Sequence, residues 1–255
     1  MKEKYKKIRK NKDFIEIFGI HSTQAALKNN KRIHKKLIVY SNFRKKFNYL
    51  ENNIDQIISI PKDEFIKKYG NEKNHQGVIL MTSKLKQPNI DEIIDKSKEK
   101  KIEIIIMLDQ VTDPQNIGSI MRSCALFNCN SIIVAKDNAP DITSSMTKAA
   151  SGALEVVNYI KVTNLSRTIE KFKKNNFWVL GFDTNIKNPN KNIQIPKKCL
   201  LIFGSENKGL RHLTKNECDE IVKIPFNINS KFRIESLNVA NACTIGLYEH
   251  FKNNY

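Results

Sequence analysis

Long apolar runs are missing from this 255-residue chain, and none approaches the ~18 residues of a membrane-spanning helix, so no membrane is expected. Cysteine is sparse. Cys124, Cys129, Cys199, Cys218 and Cys243 form an odd set without a C-x-x-C pair. That argues against a disulfide or zinc framework and for reduced thiols in a cytoplasmic protein. The five histidines (21, 34, 75, 212 and 250) lack metal-ligand spacing, so no metal is expected. There is no G-x-S-x-G elbow, and no G-x-G-x-x-G follows the first strand of either α/β segment. Their absence removes a serine-hydrolase and a Rossmann-type dehydrogenase reading. The basic stretch Met1–Asp13 leads into no apolar run, so no secretory signal is expected.

Arginine is scarce as well. Only seven of the 44 basic residues are Arg, set against 26 acidic residues in a net charge of +18. A lysine-rich, Asn- and Ile-rich chain is what an AT-rich genome imposes on any surface, and Arg is the usual choice for bidentate phosphate recognition. Placement says more than the total. Residues 1–84 hold 20 basic and 8 acidic residues, whereas residues 85–255 hold 24 and 18. That asymmetry points to a nucleic-acid partner, gripped by Lys-rich stretches such as Lys31–Lys36 and Arg44–Lys46.

What is present is an α/β pattern in two parts. After a basic tail (1–13), residues 14–84 alternate short elements: helical patterns at 21–29 and 44–52, strands at Lys36–Tyr40, Ile57–Ile60 and Gly77–Thr82, and a helix from Pro61 to Gly70. A linker and polar helix span 85–101. From Ile102 the run IEIIIML is the signature of a strand buried on both faces of a parallel sheet. Strands fit at 131–135, 156–160, 178–182, 200–203 and 220–224, and helices at 117–127, 141–151, 164–174, 212–218 and 236–252. This alternation predicts a parallel sheet with helices on both faces over 102–255, with ligands beyond the carboxyl ends of the strands.

Three strand-to-helix segments carry polar residues at that edge. In LDQVTDPQNIGSIMRS, Asn116 sits at a helix mouth, where it is either an N-cap or a site residue. Arg122 lies in a helix otherwise apolar or small, where a guanidinium needs an anionic partner. In LIFGSENKGL, Gly204 leaves room for a ligand against the backbone. Gly204 and Gly209 have phosphate-loop spacing, but Leu210 and Arg211 stand where Lys and Ser/Thr are required. Glu206 is either a solvated carboxylate or a charge partner. In the third, IVKIPF precedes ESLNVANA, where Ser236 is a natural N-cap, Asn238 falls in the first turn, and small residues at 240, 242 and 246 permit close packing.

Together these motifs resemble the SpoU (TrmH-like) family of S-adenosylmethionine-dependent RNA ribose 2′-O-methyltransferases, of the SPOUT class. FGIHSTQAAL and NHQGVIL extend the likeness over residues ~14–255 and resemble members with an N-terminal L30e-like RNA-binding domain, which act on a guanosine of 23S rRNA. The resemblance implies a deep trefoil knot, a homodimer, and S-adenosylmethionine held by Gly204, Ile224 and Leu237. It places the family's polar set on Asn116, Arg122, Glu206, Ser236 and Asn238. Two departures stand out: the loop FNINSKFRIE (226–235) is longer than in the closest members and lacks their Gly, and Ala240 stands where Ser is common. A tRNA ribose methyltransferase and a non-catalytic RNA-binding or ribosome-assembly protein of the same fold are the alternatives.

Overall fold

The computed structural model describes residues 13–45, 47, 54–70, 75–184, 194–205, 208–225 and 236–255. It divides into two compact units, one of residues 1–86 with 142–155, the other of 87–141 with 156–255.

The first unit opens with β1 (Phe14–Phe18), α1 (Ile20–Leu27), β2 (His34–Tyr40) and β3 (Ile54–Ile60), followed by α2 (Lys62–Tyr69) and β4 (Val78–Ser83). Its sheet runs β1-β4-β2-β3 and is mixed: β2 lies parallel to β3, and β4 is antiparallel to both β1 and β2. β1 alternates half-buried and buried residues, a period-2 pattern that the sequence reading left unassigned. Pro61 precedes α2 and Gly70 closes it at φ 91°, as expected. The 44–52 helical pattern falls largely outside the described residues. In the NHQGVIL segment, His75 bridges Gly70 O (Nε2, 3.0 Å) and Gly77 N (Nδ1, 3.0 Å). Gln76 accepts from Ile20 N at the start of α1 (3.3 Å). This motif therefore pins one end of the sheet.

The second unit begins with α3 (Ile90–Ser97), then β5 (Glu103–Asp109), α4 (Pro114–Leu126) and β6 (Ser131–Ala135). The next helix, α5 (Ser144–Ala150), with the 3₁₀ turn Ala153–Glu155, belongs to the first unit instead. Ser22 Oγ donates to Thr147 O at 2.7 Å. Glu155 takes the Arg32 guanidinium in two hydrogen bonds of 2.8 and 2.9 Å, with both side chains almost fully buried. The sequence reading put this segment within the C-terminal domain; its amphipathic pattern says that it packs, not against which sheet. After it come β7 (Asn158–Val162), α6 (Leu165–Lys173), β8 (Trp178–Phe182), β9 (Lys198–Gly204), α7 (His212–Asn216), β10 (Glu220–Val222) and α8 (Val239–Asn254).

The six-stranded sheet is parallel throughout, in the order β10-β8-β9-β5-β6-β7. β5 and β9 are central and buried on both faces, which is why they read as unbroken apolar runs. α6 lays Leu165, Ile169 and Phe172 into the core against Ile105, Val179 and Leu200. α8 comes so close to the sheet that a Cβ on Gly246 would press on Phe203, Leu201 and Phe182 at 3.2–3.3 Å. From β5 the chain moves outward to β6 and β7, then returns to place β9 on β5's other side. The crevice beyond their carboxyl ends is a topological switch point.

Candidate active site

That crevice is a cleft of about 300 Å³ lined by Gln110, Thr112, Asp113, Asn116, Ser205, Lys208 and Val239 among others. Its walls are the ends of β5 and β9 and the starts of α4 and α8. Asp109, in register with Gly204 across the strands, is fully buried. Arg211 answers that buried charge twice, from Nε to Oδ1 (2.7 Å) and from its backbone N to Oδ2 (3.1 Å). This pair ties the loop after β9 to the end of β5. The sequence reading passed over it, since Arg211 entered only as a misfit to a phosphate loop.

Gly204 plays a different part from the one expected. A Cβ there would meet the backbone of Gly209 and Leu210 at 2.1–2.4 Å, so it is the chain's own loop that lies against it. Gly209 N donates to Ser205 O at 2.8 Å and closes the turn.

α4 starts at Pro114, three residues earlier than predicted, because Asp113 caps it by accepting from Gln115 N (3.1 Å) and Asn116 N (3.3 Å). Asn116 is not the N-cap. Its half-buried side chain faces α8 and accepts, at Oδ1, a 3.0 Å hydrogen bond from Asn238 Nδ2. Nor does Ser236 cap α8: Asn238 does, with Oδ1 accepting from Ala240 N (2.9 Å) and Asn241 N (3.4 Å). Ser236 is exposed two residues earlier, and Leu237 is half-buried. Further along the same two helices, Ser123 and Thr244 hydroxyls meet at 2.7 Å.

Arg122 is exposed, does not line the cleft, and has no ion-pair partner among the described residues. Met121 and Cys124 face inward, while Arg122 and Leu126, one turn apart, face outward. The helix that reads as apolar or small apart from Arg122 is one-sided, and among the described residues no packed anion compensates this guanidinium. Past the C-terminal end of α4 lies an aromatic cluster: Phe127 contacts Tyr248 and Phe251 of α8, and Phe251 stacks on Tyr255. Leu126 and Tyr255 are more than 60% exposed (67% and 62%). Glu206 and the 226–235 loop lie outside the described residues.

Ile224, half-buried, follows β10. Gly204 ends β9, Ile224 follows β10 and Leu237 precedes α8, and none of the three lines the cleft described above. All five cysteines are free; burial pushes the thiols of Cys124, Cys199 and Cys243 well up and Cys218 to about 12, leaving them protonated. Among the described residues no group of His, Cys, Asp or Glu could hold a metal ion, and no helix is long and apolar enough to cross a membrane.

Comparison with known proteins agrees with this fold. Residues 103–248 match the SpoU rRNA Methylase family, and residues 17–88 match an RNA 2′-O ribose methyltransferase substrate-binding domain. The chain is 30% identical to a TrmH family tRNA/rRNA methyltransferase of Staphylococcus aureus, over 94% of this chain and 96% of that protein. It is 34% identical to the 23S rRNA (guanosine-2′-O-)-methyltransferase RlmB of Coxiella burnetii, over 91% and 93% respectively. Among solved structures it resembles the SpoU methyltransferase AviRb of Streptomyces viridochromogenes in complex with AdoMet (TM-score 0.76, 22% identity, 96% of this chain and 92% of that one). An AdoMet-bound rRNA methyltransferase of Sinorhizobium meliloti is as close in fold (TM-score 0.77, 20% identity, 98% and 91%).

Proposed function

Because the chain belongs to the SpoU rRNA methylase family and is an S-adenosylmethionine-dependent RNA 2′-O ribose methyltransferase, we propose that its target is a guanosine of 23S rRNA. The observation that carries the reading of the site is the Asn116–Asn238 bridge on the cleft between the ends of β5 and β9. The choice of rRNA guanosine rests on the RlmB relative and on the resemblance of residues 14–84 to an L30e-like domain, a stretch that overlaps the substrate-binding match over 17–88. A tRNA target is the second reading, left open by the staphylococcal relative, whose name covers both tRNA and rRNA.

S-adenosylmethionine supplies an electrophilic methyl group when bound, with Gly204, Ile224 and Leu237 as the residues that would hold it. The chain's own task is to present a ribose 2′-oxygen and find a destination for its proton. Asn116 and Asn238 are the orienting pair, each fixing the other's amide. Ser236 and Glu206 complete the proposed set: Ser236 would fix the 2′-OH, and Glu206 would position Arg122 or Asn116. Arg122 offers only N–H donors and no acceptor, so it is no base; its charge binds the target's phosphate and organises the acceptor, phosphate or water.

Its outward position on α4 makes Arg122 useful when a second copy packs on the apolar face of α4 and α8. We therefore read the protein as a homodimer in which one copy's Arg122 serves the other's cleft. The trefoil knot and cytoplasmic location belong to the same reading.

The test is methyl transfer from radiolabelled S-adenosylmethionine to 23S rRNA and to bulk tRNA, followed by mapping of 2′-O-methyl groups. Label on a single guanosine of 23S rRNA is the expected result. Label confined to tRNA overturns the target, and no label on either overturns the catalytic reading.

A further inference from the structure

The first unit contains a second cleft of about 300 Å³, lined by Asn29, Asn30, Arg32, Ile33, His34 and Asp55. Most of these side chains are already engaged. Arg32 gives Nε and Nη2 to Glu155 and Nη1 to Ser83 O. Asn29 donates to Glu155 (2.8 Å) and accepts from Lys31 N (3.1 Å). His34 Nδ1 meets the Thr82 hydroxyl at 2.9 Å. The floor is thus rigid and satisfied, and its one guanidinium is neutralised by a buried carboxylate.

Three groups differ. Ile33 is 64% exposed, and Asp55 and Asn30 have no hydrogen-bond or ion-pair partner among the described residues. Asp55 is one of eight acidic residues among the first 84, against 20 basic ones, yet among the described residues no lysine pairs with it. A bare carboxylate repels phosphate, so this cleft does not extend a phosphate-gripping surface. It can accept N–H donors, beside an amide that can do either and an apolar side chain on which a ring can lie.

RNA is read mainly where bases are unstacked and offer their edges to side chains. Guanine presents two neighbouring donors, N1–H and N2–H₂, matched to the two oxygens of one carboxylate; adenine and cytosine offer a single amino group, and uracil one ring N–H. We propose that this cleft is a recognition subsite for one unstacked guanine base, with Asp55 accepting from its Watson–Crick edge, Ile33 against the ring and Asn30 at the carbonyl side. This rests on the reading of the chain as an RNA-acting enzyme, and adds a specificity element in a different unit from the methyl-transfer cleft.

The test uses the full chain and fluorescein-labelled single-stranded RNA decamers of uridine carrying one central G, inosine, A, C or U, followed by anisotropy. Wild type is expected to bind the G decamer about 10-fold more tightly than the inosine or U decamers, the scale of one bidentate base contact. Asp55→Asn should erase that preference and weaken G binding about 10-fold, although removing a negative charge would by electrostatics alone tighten RNA binding. Ile33→Ser should weaken all purines, with thermal melting checking that both variants are folded. Equal affinity for all five decamers, or tighter G binding by Asp55→Asn, overturns the proposal. A parallel methyl-transfer assay of wild type on rRNA separates the two readings. Methylation without G preference sinks only this subsite, whereas G preference without methylation supports the subsite and sinks the catalytic reading.

Discussion

Asn238 Nδ2 donates to Asn116 Oδ1 at 3.0 Å, joining the first turn of α4 to the first residue before α8 across 122 positions of sequence. The two amides are not equivalent. Asn238 also caps α8 with its Oδ1, whereas Asn116 has no capping duty because Asp113 performs it. Asn238→Ala should therefore cost ~1 kcal/mol of stability as well as activity, and Asn116→Ala activity with little loss of stability. Asn238→Asp separates the roles, since it keeps the cap and loses the donated hydrogen bond. A drop of roughly 10–100-fold in kcat for Asn116→Ala and Asn238→Asp, with melting temperatures near wild type, is the expected result.

Arg122 has no partner to lose within the described residues, so its removal should leave the fold intact. Arg122→Ala is expected to abolish methyl transfer while S-adenosylmethionine titration and thermal melting stay at wild-type values. Arg122→Lys keeps the charge but loses the planar fork, and should recover little. A mixing experiment tests which copy supplies it. In a twofold dimer of Arg122→Ala with Asn116→Ala, one cleft retains both residues if Arg122 crosses the interface. Random mixing should then restore about a quarter of wild-type activity, since half the dimers are mixed and each has one good site. No recovery would place Arg122 in its own chain's cleft.

The Asp109–Arg211 pair and Gly204 hold the loop after β9. Asp109 has no exposed surface, so Asp109→Ala leaves Arg211 without its carboxylate and frees the turn. Because Arg211 is 44% exposed and rehydrates, the cost should be near ~2 kcal/mol, below the 3–5 of a fully buried pair. Gly204→Ala drives a methyl group into the Gly209 and Leu210 backbone, which cannot swing aside as a side chain would. Both variants should weaken S-adenosylmethionine binding by calorimetry. Gly204→Ala with normal cofactor affinity would show that the turn is not part of the holding surface.

How much of this was legible in sequence depended on whether the signal was local. The buried runs of β5 and β9 and the Gly closing α2 are local, and were read correctly. The caps were misread because Asp113, Asn116, Ser236 and Asn238 are all good cap residues within a few positions of each helix start, and only backbone geometry chooses among them. IGSIMRSCALF, apolar or small apart from Arg122, suggests a helix packed all round, yet the helical period leaves 122 and 126 outward, so the anion that Arg122 needs is not a core neighbour. The Asp109–Arg211 and Arg32–Glu155 pairs join residues more than a hundred positions apart, and nothing in either local pattern announces the other.

Glu155 closes a deeply buried ion pair in the first unit, with 1% and 8% side-chain exposure for Arg32 and Glu155. Removing one member leaves a charge in a place where water cannot reach it. Glu155→Ala should therefore cost about 3 kcal/mol, and Glu155→Gln, which keeps shape and part of the hydrogen bonding, somewhat less. Denaturant unfolding of the full chain checks this. A loss below ~1 kcal/mol for both would show that residues 142–155 add little to the stability of that unit.

Acid should destabilise the protein through two buried histidines, one in each unit. Burial is the leading cause that lowers the pKa of both His34, against Thr82 and near Arg32, and His250, whose Nε2 meets Lys197 O at 3.1 Å. Both are held neutral in the folded state, while the unfolded chain takes up their protons near 6.5. The unfolded state therefore binds more protons below that pH, and stability must fall as pH drops from about 6.5 toward the lower folded values. Above 7 their contribution is complete and flat. Melting temperatures measured between pH 7.5 and 5.5 should decline only in the lower half of that range. His250→Gln, which can donate to Lys197 O without titrating, should flatten part of the decline, and an unchanged slope would remove His250 from the account.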